Sequence, residues 1–489
     1  MDIRKSTLLT ETLFGEATAQ AQLYSSIPLP QGKTAERLLS MNATVTVKDA
    51  ACGVDTVAVA GVIALHLVVE TAERKPFAFD ASAEFSHGVA MAGVTAEMSA
   101  RVLAELLACT CRAEEGGLRM EATVSLQTAV LAPQALACIT GLEDAKGLQT
   151  LTQSVTLNKR ILLGAHACRV REVFDTPNGL AVLCAEGTPL VRATRYLDDA
   201  MTVEGAINLY VLFSDAEGGI RREPYGMSFS DSIPCERNAS VCCSVTLSKL
   251  YADALEDGTF SIEAVLSIGL YGVVQTEASL LADAYDAAGS FACQKETATC
   301  LDYCGAQTES VSVAESIPVP NHLPECYMPL YACVRPVLTG RVQDDKETLF
   351  EGILDATVVY RADDGMKQSF RAELPWSLAL TAPNGLLLPK VSVTDVSISG
   401  GGRVVRLTAE LSMETECYDA RALTYTADLT QGTPCETQAG ILVYFADAGE
   451  TFFSVGKRFG VPVAQVQRCN PERTEPLQEG APILLFRKN

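Results

Sequence analysis

Apolar and polar residues alternate through much of residues 1–432, as in the run Leu407, Ala409 and Leu411. A period of two is typical of a strand that has one face buried and the other in water. Clusters of glycine and aspartate, such as residues 215–219, interrupt these runs and are typical of turns. The pattern predicts a mainly β protein built from antiparallel β-sandwiches or small open barrels.

Two patterns each occur three times in this part of the chain and indicate internal repeats. The first is a glycine set between an apolar residue and an apolar run, at Gly61, Gly205 and Gly352. A glycine-led strand follows each of them at a similar distance, and these strands contain Ala122, Ala264 and Ala409. A glycine inside a strand pattern marks a bulge or a close approach of another group to the backbone.

The repeats divide the chain into three predicted domains, at residues 1–145, 146–290 and 291–432. Segment 90–110 is ambiguous, because its alanine-rich composition favours a helix whereas the repeat places a strand there. The repeat is the stronger signal, so a strand is predicted.

Residues 441–489 follow a linker at residues 430–434 and have a different pattern, which predicts a fourth, small domain. Its predicted elements are a strand at 441–445, helices at 452–459 and 463–469, and a strand at 483–486. The order is therefore β-α-α-β.

Local chemistry supports these helix boundaries. The Thr451 hydroxyl can accept a backbone N–H at the start of the first helix, and Gly460 can take the positive φ that ends it. Asn470 precedes a proline, so the second helix is expected to end there. The residues expected to face the core of this domain are Phe453, Val455 and Phe459.

The chain is acidic, with a formal net charge of −22. Residues 441–489 are the exception, because they hold slightly more basic than acidic residues. An acidic surface repels phosphate backbones and anionic lipid heads, which argues against binding to nucleic acid or to a membrane surface. A partner with a basic patch would suit the acidic part.

The residues after Met1 lack the apolar run of a signal peptide, and no segment has the roughly eighteen apolar residues of a membrane span. The protein is therefore expected to stay in the cytosol. Its seventeen cysteines are an odd number, so at least one cannot pair within the monomer. In the cytosol most of them are expected to be reduced and buried.

The residues that could carry catalysis or bind a metal are few. The histidines are His66, His87, His166 and His322, and none lies in a metalloprotease motif. His66 falls in an aliphatic run and is expected to be structural. The group Cys293, Cys300 and Cys304 lacks the spacing of a zinc site, and linker thiols are predicted instead. No catalytic residue, metal or cofactor is predicted, and Trp376 is expected to anchor a core.

Residues 441–489 resemble a LysM module. The match includes the strand with Tyr444, the tripeptide 449–451 where the family has Gly-Asp-Thr, and the helix from Phe453 to Val461. Asn470 and the glycine before the last strand also match. LysM modules generally bind polymers that contain N-acetylglucosamine, and some bind proteins.

The repeats resemble the SPOCS domains of endospore-forming clostridia. The family's run of Val-Glu-Gly and an aliphatic strand ending in tyrosine is matched at residues 203–210 and, with Phe in place of Val, at 350–360. The first repeat departs from it, with Ala60 in place of the glutamate. SPOCS repeats followed by a LysM module are the layout of proteins that organise the spore coat.

The resemblance implies a non-catalytic scaffold of endospore envelope assembly that docks to the forespore surface or to the basement layer of the coat. Its expected location is the mother-cell cytoplasm at the forespore surface and later the spore coat. Its expected partner is the basement-layer ATPase or another coat protein. The alternatives are a protein that binds peptidoglycan or N-acetylglucosamine, and a cell-wall hydrolase targeted by its LysM module.

The resemblance also places the binding groove between two loops of the LysM-like module. The implied site residues are Gly449, Glu450, Thr451, Phe452, Asn470, Pro471, Leu477, Gly480, Ala481 and Pro482. Phe452 is expected to project away from the core as an exposed aromatic anchor for the partner. The alternative is that Phe452 packs as additional core under the Asn470 loop.

Overall fold

A computed structural model describes residues 2–114, 116–143, 147–236, 240–286, 291–344, 347–382, 385–432 and 440–487. Within these ranges the chain is mainly β, and the strands pair antiparallel, as predicted. The predicted domain boundaries at residues 145 and 290, and residues 433–434 of the predicted linker, lie outside the described residues. Thr430 belongs to a strand rather than to a linker.

Residues 2–143 form the first block. Its strands are β1 (Asp2–Pro28), β2 (Arg37–Cys52), β3 (Thr56–Glu70), β4 (Pro76–Ala90), β5 (Ser99–Glu114) and β6 (Gly117–Glu143). They form two sheets, with the strand orders β1-β6-β5 and β2-β3-β4. Residues 99–110 are thus in a strand, as the repeat predicted, whereas 91–98 are in turns.

The second and third blocks have the same strand order as the first. The second block contains β7 (Gln149–Asp175), β8 (Leu180–Leu197), β9 (Ala200–Asp215), β10 (Ile220–Pro234), β11 (Val241–Ala254) and β12 (Thr259–Tyr285). The third contains β13 (Phe291–Pro318), β14 (Cys326–Gln343), β15 (Thr348–Ala362), β16 (Lys367–Leu380), β17 (Gly385–Gly401) and β18 (Val404–Gln431). The sheets are β7-β12-β11 with β8-β9-β10, and β13-β18-β17 with β14-β15-β16.

In each block the two sheets bury their apolar faces against one another. Phe213 and Phe260 meet edge to face in the second block, with ring centroids 5.4 Å apart. In the third block Trp376, which is 5% exposed, lies in the core beside Phe350, so its predicted role as a core anchor is confirmed. Alternate residues of each central strand reach these cores, which explains the period of two in the sequence.

The three repeated glycines lie on central strands directly opposite aromatic residues. The cross-strand pairs are Gly61 with Phe85, Gly205 with Phe229, and Gly352 with Trp376. In each pair the aromatic ring lies over the glycine, and a Cβ added there would collide with the ring and with a backbone carbonyl of the other neighbouring strand. The predicted close approach to these glycines is confirmed, and it amounts to an aromatic ring covering a strand glycine.

The blocks are joined by cores that they share. The first and last strands of each block are 27 or 28 residues long, far beyond the usual strand length. Their outer ends form one apolar cluster, with Leu8, Leu136 and Cys138 from the first block, Val155, Leu157 and Leu280 from the second, and Cys300, Leu423 and Tyr425 from the third. A second shared cluster contains Leu39, Leu212 and Tyr331, one residue from each block.

A buried ionic network also joins the three blocks. The Lys367 ammonium of the third block lies 2.7 Å from the Glu70 carboxylate of the first, and both side chains are less than a tenth exposed. Lys367 also donates to the carbonyl oxygens of Arg74 (3.1 Å) and Gly218 (2.8 Å), the latter in the second block. Arg37 holds the other oxygen of Glu70 at 2.8 Å. The charges are thus paired within a desolvated junction.

The chain ends in a small module with the element order β-α-α-β. Its elements are β19 (Gly440–Phe445), α1 (Phe452–Phe459), α2 (Val463–Cys469) and β20 (Pro482–Arg487). The Thr451 side chain accepts the Ser454 N–H at the start of α1, and Gly460 takes a φ of 65° at its end. Both caps lie at the residues that the sequence predicted.

The module packs on the second block through α1 and the turn that follows it. The Tyr285 hydroxyl donates to the Val461 carbonyl (2.7 Å), and its ring meets that of Phe453 edge-on at 5.1 Å. Lys457 lies 2.6 Å from Asp283. Gly456 faces the Tyr285 hydroxyl so closely that a Cβ there would collide with it. The module therefore packs closely against the second block, through polar, ionic and aromatic contacts.

Candidate functional site

The structure brings the two predicted site loops of the terminal module together. The Gly449 N–H donates to the Leu477 carbonyl (2.9 Å), and the Leu477 N–H donates to the Glu450 carbonyl (2.8 Å). The Gly480 N–H donates to the Ala446 carbonyl at 2.8 Å. The loops are therefore fixed against one another by backbone hydrogen bonds.

The predicted site residues differ widely in exposure. Those at the surface are Gly449, Pro471, Gly480 and Pro482, and those that are half-buried are Glu450 and Thr451. Those that are buried are Phe452, Asn470, Leu477 and Ala481. The side chains of the buried group are covered by the rest of the module and add little to its surface.

Phe452 is the main correction. It is 4% exposed and belongs to the core of the module with Val455, Val466 and Leu477. The expectation of an exposed anchor at Phe452 is wrong, and the alternative that it packs as core is right. Phe453 was expected in that core, but it packs on Tyr285 of the second block. A short helix with neighbours on two sides has no free face for an extra aromatic residue.

Asn470 is a structural residue rather than a contact residue. Its amide N–H₂ donates to the carbonyls of Val466 (2.8 Å) and Leu484 (2.9 Å), and its carbonyl accepts the Leu484 N–H (2.7 Å). Asn470 is 2% exposed. Its amide pairs with the backbone N–H and carbonyl of Leu484 in β20, which would otherwise lack hydrogen-bond partners. It ties the end of α2 to the closing strand.

We expect Asn470→Ala to loosen the module. The change leaves one buried and two half-buried backbone groups without their partner, and a buried polar group left unpaired costs about 1–3 kcal/mol. Hydrogen exchange followed by mass spectrometry should show faster exchange in residues 440–487 and unchanged exchange in the blocks. Gln467→Ala, at an exposed position of α2, is the matched control. Equal protection in both variants would show that the amide is dispensable.

Glu450 and Thr451 are also occupied by internal contacts. The Glu450 carboxylate accepts the Tyr444 hydroxyl (2.9 Å) and the Asp447 N–H (3.0 Å), and it lies 2.8 Å from Arg458. The Thr451 hydroxyl caps α1. These residues shape the loop, and their polar groups already have partners.

The exposed large apolar side chains of the module lie elsewhere, on the two-stranded sheet. Cross-strand pairing puts three pairs on one face, Ile441 with Phe486, Val443 with Leu484, and Phe445 with Pro482. Ile441, Val443 and Phe445 are 69%, 50% and 64% exposed. We call these six residues the outer sheet face. The opposite face holds Ile483 and Leu485, which are fully buried.

Sequence reasoning missed the outer sheet face, although a signal for it was present. Residues 441–445 are apolar at every position, which a strand with one face in water does not require. This strand was predicted from the sequence, but no role was assigned to either of its faces. A contiguous apolar patch on a soluble surface marks an interaction site.

The histidines and thiols that could suggest chemistry have structural settings. His66 Nδ1 lies 2.5 Å from Asp80. Burial lowers the pKa of His66. The hydrogen bond to Asp80 and the nearby Cys184 and Glu186 raise the pKa by more than burial lowers it, so the net value is well above the usual one. The sixteen cysteines that the structure describes are free, and nine are buried. Cys304 is the exposed one.

Cys293, Cys300 and Cys304 lie on β13 and not in a linker as predicted. Cys300 is buried in the cluster shared by the three blocks, and Cys293 donates to the Ala284 carbonyl. Seven residues of extended strand span about 23 Å, which is too far for Cys293 and Cys300 to share one metal ion. Among the described residues no group of three or more His, Cys, Asp or Glu side chains is placed to hold a metal.

Comparison with known proteins gives no relative: no family model, no curated protein and no solved structure matches the chain. The likeness to SPOCS and LysM sequences therefore rests on the residues quoted above. No helix within the described ranges is long and apolar enough to span a membrane.

Proposed function

We propose that this protein is a non-catalytic scaffold of endospore envelope assembly and that its terminal module binds a coat protein. In this proposal the three blocks are SPOCS-like repeats and the terminal module is LysM-like, the layout of the SipL-type morphogenetic proteins of clostridia. The strand order shared by the blocks and the glycines that recur under an aromatic ring support the repeats. The β19-α1-α2-β20 order and its caps support the module.

The observation that carries this proposal is the outer sheet face. Three neighbouring side chains of β19 that are half or more exposed present an apolar surface on a module already fixed to the rest of the chain. Apolar surface removed from water stabilises a complex by roughly 25 cal/mol per Å². A few side chains near the centre of such an interface supply most of the binding energy. A protein partner with an apolar groove is the occupant that this surface favours.

The glycan-binding alternative has less support from the same module. Aromatic side chains at a binding surface commonly provide its contact area, and Phe452 is buried. The exposed members of the predicted groove are glycines and prolines, which offer few donors to sugar hydroxyls. The partner in our proposal is therefore the basement-layer ATPase or another coat protein, met at the forespore surface from the mother-cell cytoplasm.

The test is Val443→Asp in the full chain. A charge at the centre of the outer sheet face should weaken partner binding at least about tenfold, the loss expected at a binding hot spot. Because Val443 is half exposed, the module should stay folded. Fluorescent fusions in sporulating cells should lose their forespore location, and fewer coat proteins should co-purify.

Val173→Asp is the matched control, because Val173 is 52% exposed on β7 of the second block. It should locate and co-purify like the wild type. Wild-type behaviour of Val443→Asp would remove the outer sheet face from the proposal. Normal coats in spores that lack the gene would contradict the scaffold function itself, and clearing of purified cell wall in a zymogram would favour the hydrolase.

A further inference from the structure

A cavity of about 300 Å³ lies where the first block meets the third. Its walls come from β2 and β5 of the first block and from β14, β15 and β16 of the third. The cavity therefore lies between the first and the third blocks, and it forms only when both are folded. It is far from the outer sheet face in sequence and shares no residue with it.

The wall of this cavity carries an excess of positive charge. It contains three arginines, Arg112, Arg335 and Arg371, and one carboxylate, Asp355. Asp355 is held 2.6 Å from Arg335 and 2.7 Å from Arg371. Arg112 forms no ion pair with any residue that the structure describes. In a chain with a net charge of −22, this local excess is unusual.

The other lining groups add neutral donors and apolar surface. Burial raises the pKa of Cys109 to about 11 and that of Cys111 to about 12, so both thiols are uncharged at neutral pH. Thr357 and Ser369 bring hydroxyls, and Leu38 is one of the apolar residues. A mostly apolar cavity with a few convergent polar groups is the usual form of a small-molecule site.

The equivalent place between the second and third blocks is filled by side chains. Counted from the repeated glycines, Tyr210 and Thr357 occupy the same position on β9 and β15. The Arg222 guanidinium stacks 3.4 Å from the centroid of the Tyr210 ring and donates to the Val396 carbonyl at 2.8 Å. Tyr210 also reaches Asp395 of the third block. Thr357, a smaller residue, lines the cavity at the position where the second block has a tyrosine.

We propose that this arginine-lined cavity binds a small organic or inorganic anion through a carboxylate or phosphate group. Guanidinium groups present paired N–H donors that match the oxygens of both groups. Arg112 is the residue that binds the anion, since Arg335 and Arg371 both pair with Asp355. The volume suits a ligand at the lower end of the usual size range, roughly 300–1,000 Å³.

Isothermal titration of the full chain with inorganic phosphate, with citrate and with uncharged glucose tests the proposal. Phosphate or citrate should bind, and glucose should not. Binding of phosphate alone would assign the site to phosphate groups, and binding of citrate alone to carboxylates. No heat of binding with either anion at millimolar concentration would overturn the proposal.

Two variants show whether the anion sits in this cavity. Thr357→Tyr places there the residue that the second block already carries, so the fold should tolerate it, and binding should be lost. Arg112→Gln should weaken binding at least about tenfold, as for the loss of one charge-assisted hydrogen-bond donor group. Thermal melting confirms that each variant is folded.

Arg119→Gln is the control, because Arg119 is an exposed arginine of the same block and lies outside the cavity. It should bind like the wild type. An equal loss in Arg119→Gln and Arg112→Gln would show that the anion binds to general surface charge. Unchanged binding in a folded Thr357→Tyr variant would likewise overturn the assignment, and neither result bears on the outer sheet face.

Discussion

Gly205→Val and Gly352→Val are each expected to lower the free energy of unfolding by about 3–5 kcal/mol, in the range of severe core changes. Each glycine lies under an aromatic ring, Phe229 or Trp376, and beside a carbonyl of the other neighbouring strand. A side chain there must displace the ring from the core or push the strands apart, and overpacking of this kind is not relieved by a small shift. Thermal and urea melts of the purified chain measure the loss.

Gly226→Val is the matched control for these variants. Gly226 lies on β10 of the same sheet as Gly205 and is exposed, and the nearest heavy atom to an added Cβ would be the Ile207 carbonyl oxygen at 4.0 Å, an ordinary contact. Its melting curve should stay within about 1 kcal/mol of the wild type, the usual range for a surface change. Wild-type melts for both Gly205→Val and Gly352→Val would show that the ring-over-glycine contact does not specify the fold.

Lys367→Met is expected to lower the free energy of unfolding by about 3–5 kcal/mol, the usual cost of removing one partner of a buried ion pair. The methionine side chain keeps most of the lysine's volume. It leaves Arg37 as the only partner of the Glu70 carboxylate, and the carbonyls of Arg74 and Gly218 lose the donor that Lys367 supplied. Because these contacts join all three blocks, the blocks are expected to melt less cooperatively. Calorimetry should show a broader or split transition.

Lys48→Met provides the comparison. Lys48 pairs with Glu84 at 2.7 Å, but both side chains are more than half exposed. A surface pair of this kind contributes roughly 0–1 kcal/mol, so the variant should melt like the wild type. If Lys367→Met and Lys48→Met lost the same small amount of stability, the buried network would not hold the blocks together.

The candidate site was predicted less well than the elements around it. Thr451 and Gly460 were placed at the helix ends because capping depends on neighbouring residues alone. Phe452 was misplaced because its environment depends on the Leu477 loop and on Val466, which lie far along the chain. Phe453 was misplaced for a related reason: its partner Tyr285 belongs to the second block.

The alternation of apolar and polar residues was enough to predict the β class and the antiparallel strands, and the glycines inside that pattern predicted the close approach at Gly205 and Gly352. These features follow from local geometry, because successive side chains of a strand point to opposite faces of the sheet. The shared cores, the Lys367 junction and the arginine-lined cavity could not be read in this way. Each needs residues from different blocks to meet, and the period of a strand tells which side chains are buried but not which distant strand covers them.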